Sequence, residues 1–321
     1  MDTLYNTYRW LEQARQGFGP LIVTAAVNGG VQGKETHERL PETPEEIAAQ
    51  AKEAYDAGAS VVHIHGRRPG DPARATGDPD VYAEINARVR ASCPDIVINN
   101  TTGGGPTTTM EERIACLGAL PELASLNMGP DMSRFTLVAR PAELGSGREE
   151  TVYDGCVPFT YGVIRQLAAT MREHGIKPEM EVYQPGQFWA VRDLLEAGLI
   201  EPPYLHQFVM GYQTSSFATP EHVCGLVREL PAGAIFAICG IGPFQLPMTT
   251  LSMLLGGHVR VGLEDNLYYA RGRRLRGNGE AVERAVRMAG ELNREVATPA
   301  QARELLGVDA RPRAYAAPKA A

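Results

Sequence analysis

Residues 20–65 read PLIVTAAVNGGVQGKETHERLPETPEEIAAQAKEAYDAGASVVHIH, and their order decides the fold. The run 20–27 (PLIVTAAV) is apolar and β-branched and ends at Asn28-Gly29-Gly30, while 44–57 (PEEIAAQAKEAYDA) has helical apolar spacing with acidic residues in its first turn. That is strand, loop, helix. Gly58 stops the helix and 60–65 (SVVHIH) starts a second strand, which is followed by a helix over 78–91 with an Asp cap and a Pro at its start. The unit then recurs along the chain. Strand 95–100 pairs with helix 109–120, 122–127 with 159–175, and 177–183 with 186–198. Strand 203–210 pairs with helix 219–230, 234–240 with 243–257, and 258–263 with a helix around 279–294, which makes eight units.

The strands are near-continuous apolar runs, as in sheets covered on both faces, and strict alternation with right-handed crossovers makes the sheet parallel. The fold class is therefore α/β. A closed (β/α)8 TIM barrel fits best because no strand looks like an edge; an open doubly wound sheet is the alternative. The expected organisation is a short N-terminal amphipathic helical extension over 1–18, a single catalytic domain over 19–309 and a flexible tail over 310–321. The break at 129–158 is too long for an idle connection and is expected to carry a lid or an oligomer contact.

Composition narrows the function classes. In 321 residues, 31 Lys and Arg stand against 38 Asp and Glu, a formal charge of −7 that argues against nucleic acid or an anionic membrane as partner. Ordinary apolar (44%) and charged (21%) fractions exclude disordered, collagen-like and coiled-coil classes. No apolar run approaches the ~18 residues of a membrane span. The first residues lack the basic and apolar regions of a secretory signal, and the five cysteines are scattered without a C-x-x-C pair. Both features point to a cytoplasmic protein with reduced thiols.

In a barrel, chemistry collects at the C-terminal ends of the strands. Those ends carry Asn28, His63, His65, Asn99 to Thr102, Ser125, Asn127, Glu181, Tyr183, Gln207, Cys239, Glu264 and Asp265. His63 and His65 are two apart on one strand, so both imidazoles face the barrel axis. Glu264 comes beside them once the barrel closes, and this trio can hold a divalent ion with one position open. Zinc is favoured; manganese and iron suit the same ligands. The loop 101–109 (TTGGGPTTT) leads from strand to helix and can surround an anion, or can serve only as a tight link. Neither a P-loop nor a dinucleotide fingerprint is present. Arg67, Arg68 and Arg260 are candidate carboxylate or phosphate clamps, and Arg271, Arg273, Arg274 and Arg276 form a basic cluster or a solvated face.

Taken together, PLIVTAAVNGG, ASVVHIHGR, IVINNTTGGG, ELASLNMG, PEMEVYQPGQ, IGPFQLP and GGHVRVGLEDN closely resemble the β-keto acid cleavage enzymes, from about residue 20 to 307. The resemblance implies a zinc-dependent barrel, homotetrameric, that reacts a β-keto acid with acetyl-CoA to give acetoacetate and a new acyl-CoA. By the same resemblance His63, His65 and Glu264 are the metal ligands, Asp265 is the general base, and Arg260 is an active-site arginine. Thr101, Gly104 and Ser125 fall where family members hold the keto-acid end. Where aminohexanoate-cleaving members hold the substrate ammonium with a glutamate, this chain has Val31, and a second family glutamate appears as Gln184. A cationic substrate is therefore disfavoured, because its ammonium would be desolvated without a partner. A neutral or apolar acid is expected, or a diacid if Arg67 or Arg68 turns inward, with Glu35 and Glu38 as nearby carboxylates able to compensate. Other readings are a metal-dependent aldolase or decarboxylase working without CoA, a hydrolase using metal-bound water, and a non-catalytic metal- or metabolite-binding protein.

Overall fold

The computed structural model describes residues 6–316. Eight parallel strands form the sheet: β1 (Val23–Ala26), β2 (Val61–Ile64), β3 (Val97–Asn100), β4 (Leu123–Asn127), β5 (Lys177–Val182), β6 (Tyr204–Met210), β7 (Ala234–Gly240) and β8 (His258–Val261). Strand β1 pairs with β2 through Thr24 and Val61 and with β8 through Thr24 and Arg260. The sheet therefore closes on itself as a (β/α)8 TIM barrel. Closure removes the open-sheet alternative.

The outer layer follows local signals in the chain. Helix α1 (Thr7–Gln16) precedes the barrel, and α2 (Pro44–Asp56) and α3 (Pro79–Ser92) follow β1 and β2. Thr43 and Glu46 form a reciprocal capping box at α2, and Asp78 caps α3 ahead of Pro79. Then come α4 (Met110–Ala115), α5 (Tyr161–Glu173), α6 (Phe188–Glu196), α7 (Pro220–Glu229), α8 (Gln245–Leu254) and α9 (Asn278–Glu291). A final helix, α10 (Pro299–Leu306), has no counterpart in the eight units read from the sequence. Its Ala302 and Leu306 pack with Ile22, Val61, Val97, Leu123 and Leu205, which closes the N-terminal mouth of the barrel.

Within the expected N-terminal extension, Thr7–Gln16 is helical, and residues 1–5 lie outside the described residues. Helix α1 buries none of its residues; Trp10 donates from Nε1 to the Leu254 carbonyl at 3.1 Å and packs on Phe18. At the other end, residues 310–316 of the expected tail are tied down. Arg313 donates to the carbonyls of Leu120 and Pro121 at 3.1 Å, and the Tyr315 hydroxyl donates to the Leu120 carbonyl at 3.2 Å. Residues 317–321 lie outside the described residues.

The segment 129–158 forms an antiparallel ribbon in which Asp131–Leu137 pairs with Thr151–Val157. Its base is stitched to the loop after β6. The amide of Met132 donates to Thr214 Oγ1 at 2.9 Å, and Gln213 accepts from the Arg134 amide and donates back to its carbonyl. Its far loop is clamped to the loop after β1 by Arg140, which pairs with Glu35 and Glu42, and by Arg148, which pairs with Glu35 at 3.0 Å. Among the described residues no helix is long and apolar enough to cross a membrane.

Candidate active site

A cavity of about 1090 Å³ opens at the C-terminal ends of the strands, more than a six-carbon acid needs. His63 lies on β2 and His65 one residue beyond it, so the period-2 pleat turns both rings inward. Barrel closure brings up Glu264 from the turn after β8. His65 Nε2 stands 3.4 Å from His63 Nε2 and 3.2 Å from Glu264 Oε1, and His63 Nε2 is 3.8 Å from Glu264 Oε2. The three side chains can each point one ligand atom at a common ion, since these atoms lie within 4.8 Å of one another.

Two further observations fit a metal. Among the described residues the buried Glu264 Oε2, which faces the two Nε2 atoms, has no hydrogen-bond partner, an arrangement that costs free energy unless something else engages the cluster. Burial, reinforced by the Arg260 charge, drives the His63 pKa well below its ordinary value and leaves the imidazole neutral, as a ligand must be. For Glu264 burial opposes ionisation, but Arg260 and the histidines outweigh it and hold the carboxyl well below the usual range. Two imidazoles and one carboxylate with an open side are a donor set suited to zinc.

Glycines make room for this cluster. A Cβ on Gly29, which has a φ of +65°, would stand 2.9 Å from Glu264 Cγ. One on Gly30 would stand 1.9 Å from the Gly104 carbonyl and 2.9 Å from His65 Nδ1. The Asn28-Gly29-Gly30 turn is thus required by close approach as well as by chain reversal. Asn28 completes it, accepting from the His65 amide and donating to the His65 carbonyl.

Arg260 on β8 joins the acidic groups. It grips Asp265 with two bonds of 3.0 and 2.9 Å, reaches Glu264 Oε1 at 2.6 Å, and donates to Glu181 Oε1 at 3.2 Å. Burial pushes the Asp265 carboxyl up to about 6 against the pull of Arg260, a value suited to taking and returning a proton near neutrality. Burial likewise raises Glu181 to about 8, again opposed by Arg260.

The candidate substrate residues divide. Val31, Thr101 and Gly104 line the cavity, and the Thr101 hydroxyl accepts from the Gly103 amide at 2.8 Å. Ser125 lies behind them, fully buried and outside the lining; its hydroxyl is 3.3 Å from Thr101 Oγ1 and accepts from the Thr102 amide. It positions the Thr101 loop from below. Glu35 is engaged by Arg140 and Arg148, and Glu38 and Gln184 lie outside the lining. Nor do the two arginines after β2 turn inward. Arg67 donates to the carbonyls of Asn28 and Gly29, and Arg68 pairs with Glu112.

The basic cluster is also split. Arg273 and Arg276 bond Glu280, and Arg274 donates to the Thr36 carbonyl. Arg271 lines the cavity together with Arg284. Arg273 and Arg284 each lie over the Tyr269 ring, at 4.0 and 4.3 Å from its centre.

Three contributors have no place in the sequence-based site. Glu179 lies on β5 with its Oε2 4.0 Å from His63 Nδ1 and accepts from Asn99 at 2.7 Å, which places a carboxylate behind a candidate ligand. A signal for it exists, since Glu179 and Glu181 alternate on an otherwise apolar strand. Asp131 and Tyr212 also line the cavity, and no local pattern announces them.

A sequence profile of the beta-keto acid cleavage enzymes matches residues 20–308. The 3-keto-5-aminohexanoate cleavage enzyme of Acetoanaerobium sticklandii is 36% identical over 288 residues, 90% of this chain and 98% of that protein. The 3,5-dioxohexanoate:acetyl-CoA acetone transferase of Paraburkholderia graminis is 31% identical over 296 residues, covering 89% of this chain and 95% of that protein. Among solved structures, apo ObcA superposes with a TM-score of 0.67 at 21% identity, over 84% of this chain and 66% of that one, a likeness of fold. With the profile covering the whole barrel, this chain is an enzyme and belongs to the β-keto acid cleavage enzyme family.

Proposed function

We propose that this enzyme is a zinc-dependent catalyst of condensation and cleavage that converts a β-keto acid with an uncharged tail, plus acetyl-CoA, into acetoacetate and a new acyl-CoA. The observation that carries this is the juxtaposition of the His63, His65 and Glu264 cluster with Asp265 held by Arg260 on one cavity wall. Bound by that trio, zinc would supply Lewis-acid stabilisation of negative charge on the substrate oxygens.

The chain's own residues account for the rest. Asp265 takes a proton from C2 of the acid. C2 then bonds to the acetyl carbon, the thioester C–S bond breaks, and CoA leaves as the thiolate. The thiolate attacks the original ketone carbon, the bond between that carbon and C2 breaks, and Asp265 returns its proton to C2 as acetoacetate forms. Thr101 Oγ, backed by Ser125, and the Gly103-Gly104 backbone orient the keto-acid end, and fixed dipoles there offset developing charge. Arg260 keeps Asp265 aimed. Arg271 and Arg284, at the rim near the turn after β8, suit the phosphates of CoA.

An uncharged tail is supported by the wall of Val31, Phe135, Tyr183, Val209, Tyr212 and Ile241. The diacid branch has no support, because Arg67 and Arg68 are engaged elsewhere. On the family resemblance we also propose a cytoplasmic homotetramer, which sedimentation velocity and cell fractionation would test.

The test of the reaction is mass spectrometry of zinc-loaded protein with acetyl-CoA and a panel of neutral, acidic and cationic β-keto acids. Acetoacetate and a matching acyl-CoA in equal amounts are expected, with a neutral acid preferred. Cleavage without acetyl-CoA would replace this reading with an aldolase or decarboxylase, and free acid in place of acyl-CoA would make the protein a hydrolase.

A further inference from the structure

The cavity has two unlike sides. Its arginines, Arg271 and Arg284, lie on the side built after β8, together with Leu263, Leu267 and Tyr268. The opposite side, built from the ends of β4, β5 and β6 and the ribbon, is an aromatic wall containing Phe135, Tyr183 and Tyr212. One carboxylate interrupts it. Asp131, the first residue of the ribbon, lines the cavity, and among the described residues the one hydrogen bond to its carboxylate comes from the Thr214 hydroxyl at 3.2 Å. Among the described residues it has no ion-pair partner within 4.0 Å.

A second acceptor lies on the same side. Asn127, 3% exposed and also lining the cavity, has its Nδ2 directed at the Tyr183 hydroxyl at 3.5 Å, and that hydroxyl points on to Glu181 at 3.4 Å. Among the described residues Asn127 Oδ1 has no partner although it is buried. A buried acceptor left open in a ligand cavity awaits a donor, because an unpaired acceptor costs free energy that a bound donor recovers.

The surroundings of these two acceptors bear on which donor fits. Arg113, buried behind the Thr101 loop and bonded to the carbonyls of Thr102 and Gly105, acts electrostatically on Asp131 from beyond ion-pair range. Its positive charge counters that of Asp131 in part, less than burial does, and so weakens the pull on a second cation at the same end. The aromatic rings and Val31 favour carbon over a fully hydrated group.

We propose that Asp131 and Asn127 form a recognition point for a hydroxyl group on the tail of the substrate. The substrate class is then an uncharged 3-oxo acid that carries a hydroxyl beyond its ketone. This deepens the reaction proposed above and rests on it for the identity of the acid.

The test compares three zinc-loaded proteins, wild type, Asp131→Leu and Asp131→Asn, on 3-oxo acids matched in chain length and bearing a methyl, a hydroxyl or an ammonium at the tail. The readout is the ratio of kcat/KM between tails, measured as acyl-CoA formed. The wild type is expected to prefer the hydroxyl acid over the methyl acid by at least about tenfold. That ratio should collapse toward one in Asp131→Leu and persist in Asp131→Asn, which keeps an acceptor oxygen and the native shape. An equal ratio in wild type and the leucine variant, or a wild-type preference for the ammonium acid, overturns the proposal. If no acid yields acyl-CoA, the reaction reading fails, and calorimetric binding ratios of the same acids across the same proteins decide the role of Asp131 by the same criterion.

Discussion

The two mouths of the barrel handle buried charge in opposite ways. At the N-terminal mouth Glu122 bonds Arg90 at 2.8 Å, Arg303 at 2.7 Å, and the amides of Ile98 and Arg313. Arg303, 2% exposed, spends its remaining donors on the carbonyls of Asp95, Ile96 and Asp309. At the C-terminal mouth Glu264 Oε2 and Asn127 Oδ1 are buried without partners among the described residues. A satisfied network holds a fold together, whereas unsatisfied groups held in place by that fold are available to a ligand. The rigid mouth thus allows the reactive one to be under-bonded.

Breaking the reactive mouth should cost activity and little stability. His63→Ala, or removal of metal by a chelator, is expected to lower kcat/KM by about 10³-fold or more, the loss of several kcal/mol of charge stabilisation. Metal analysis should show the ion gone, while the urea midpoint of the metal-free variant should match that of the metal-free wild type or exceed it. Gly30→Ala sharpens the point without touching a ligand. Its methyl would collide with the Gly104 carbonyl and crowd His65, so a displacement on the ångström scale and a loss of about 10²-fold in kcat are expected in steady-state kinetics.

The rigid mouth should behave in the converse manner. Arg303→Met leaves Glu122 with a single arginine and is expected to cost about 3 kcal/mol in urea denaturation, with kcat unchanged at 25 °C. A large fall in kcat with little loss of stability would erase the distinction between the two ends.

Glu181 sits between the two behaviours. Its folded pKa of about 8 exceeds the ordinary 4.5, so folding binds a proton and favours the neutral acid. Its contribution to stability is full below about pH 4.5 and is lost as pH rises through about 8. Metal-free wild type should therefore lose about 1 kcal/mol per pH unit in that window relative to Glu181→Gln, measured by urea melts from pH 5 to 8. The smallest expected effect is a control remote from both mouths. Gly225 lies inside α7, where an added methyl would meet nothing within 4 Å, and Gly225→Ala should stabilise by about 0.5–1 kcal/mol with no change in kinetics.

The barrel strands are legible because each is an apolar run buried on both faces, a pattern that tolerates little else. Helix α10 is not, since it follows the eighth unit as a short segment whose apolar residues acquire meaning only against the strand ends they cover. The ribbon at 129–158 is recognisable as too long a connection but not as strands. Its residues alternate between exposed and partly buried positions without a continuous apolar face. In the site, His63 and His65 can be paired from one strand and Glu264 added by closure. Ser125, which the sequence places toward the substrate, turns instead to the back of the Thr101 loop.

By itself the sequence determined the repeating unit, the count of eight, the strand-end histidines and the family pattern, because these depend on short-range periodicity and on residue types a few positions apart. Only the tertiary structure decided which of several arginines reach the cavity and that Glu35 and Arg67 are engaged elsewhere. It alone brings Asp131 to the cavity wall. Those outcomes depend on competition for partners among groups distant in the chain: a guanidinium beside Glu280 is committed to it, and one without a carboxylate is left for a ligand.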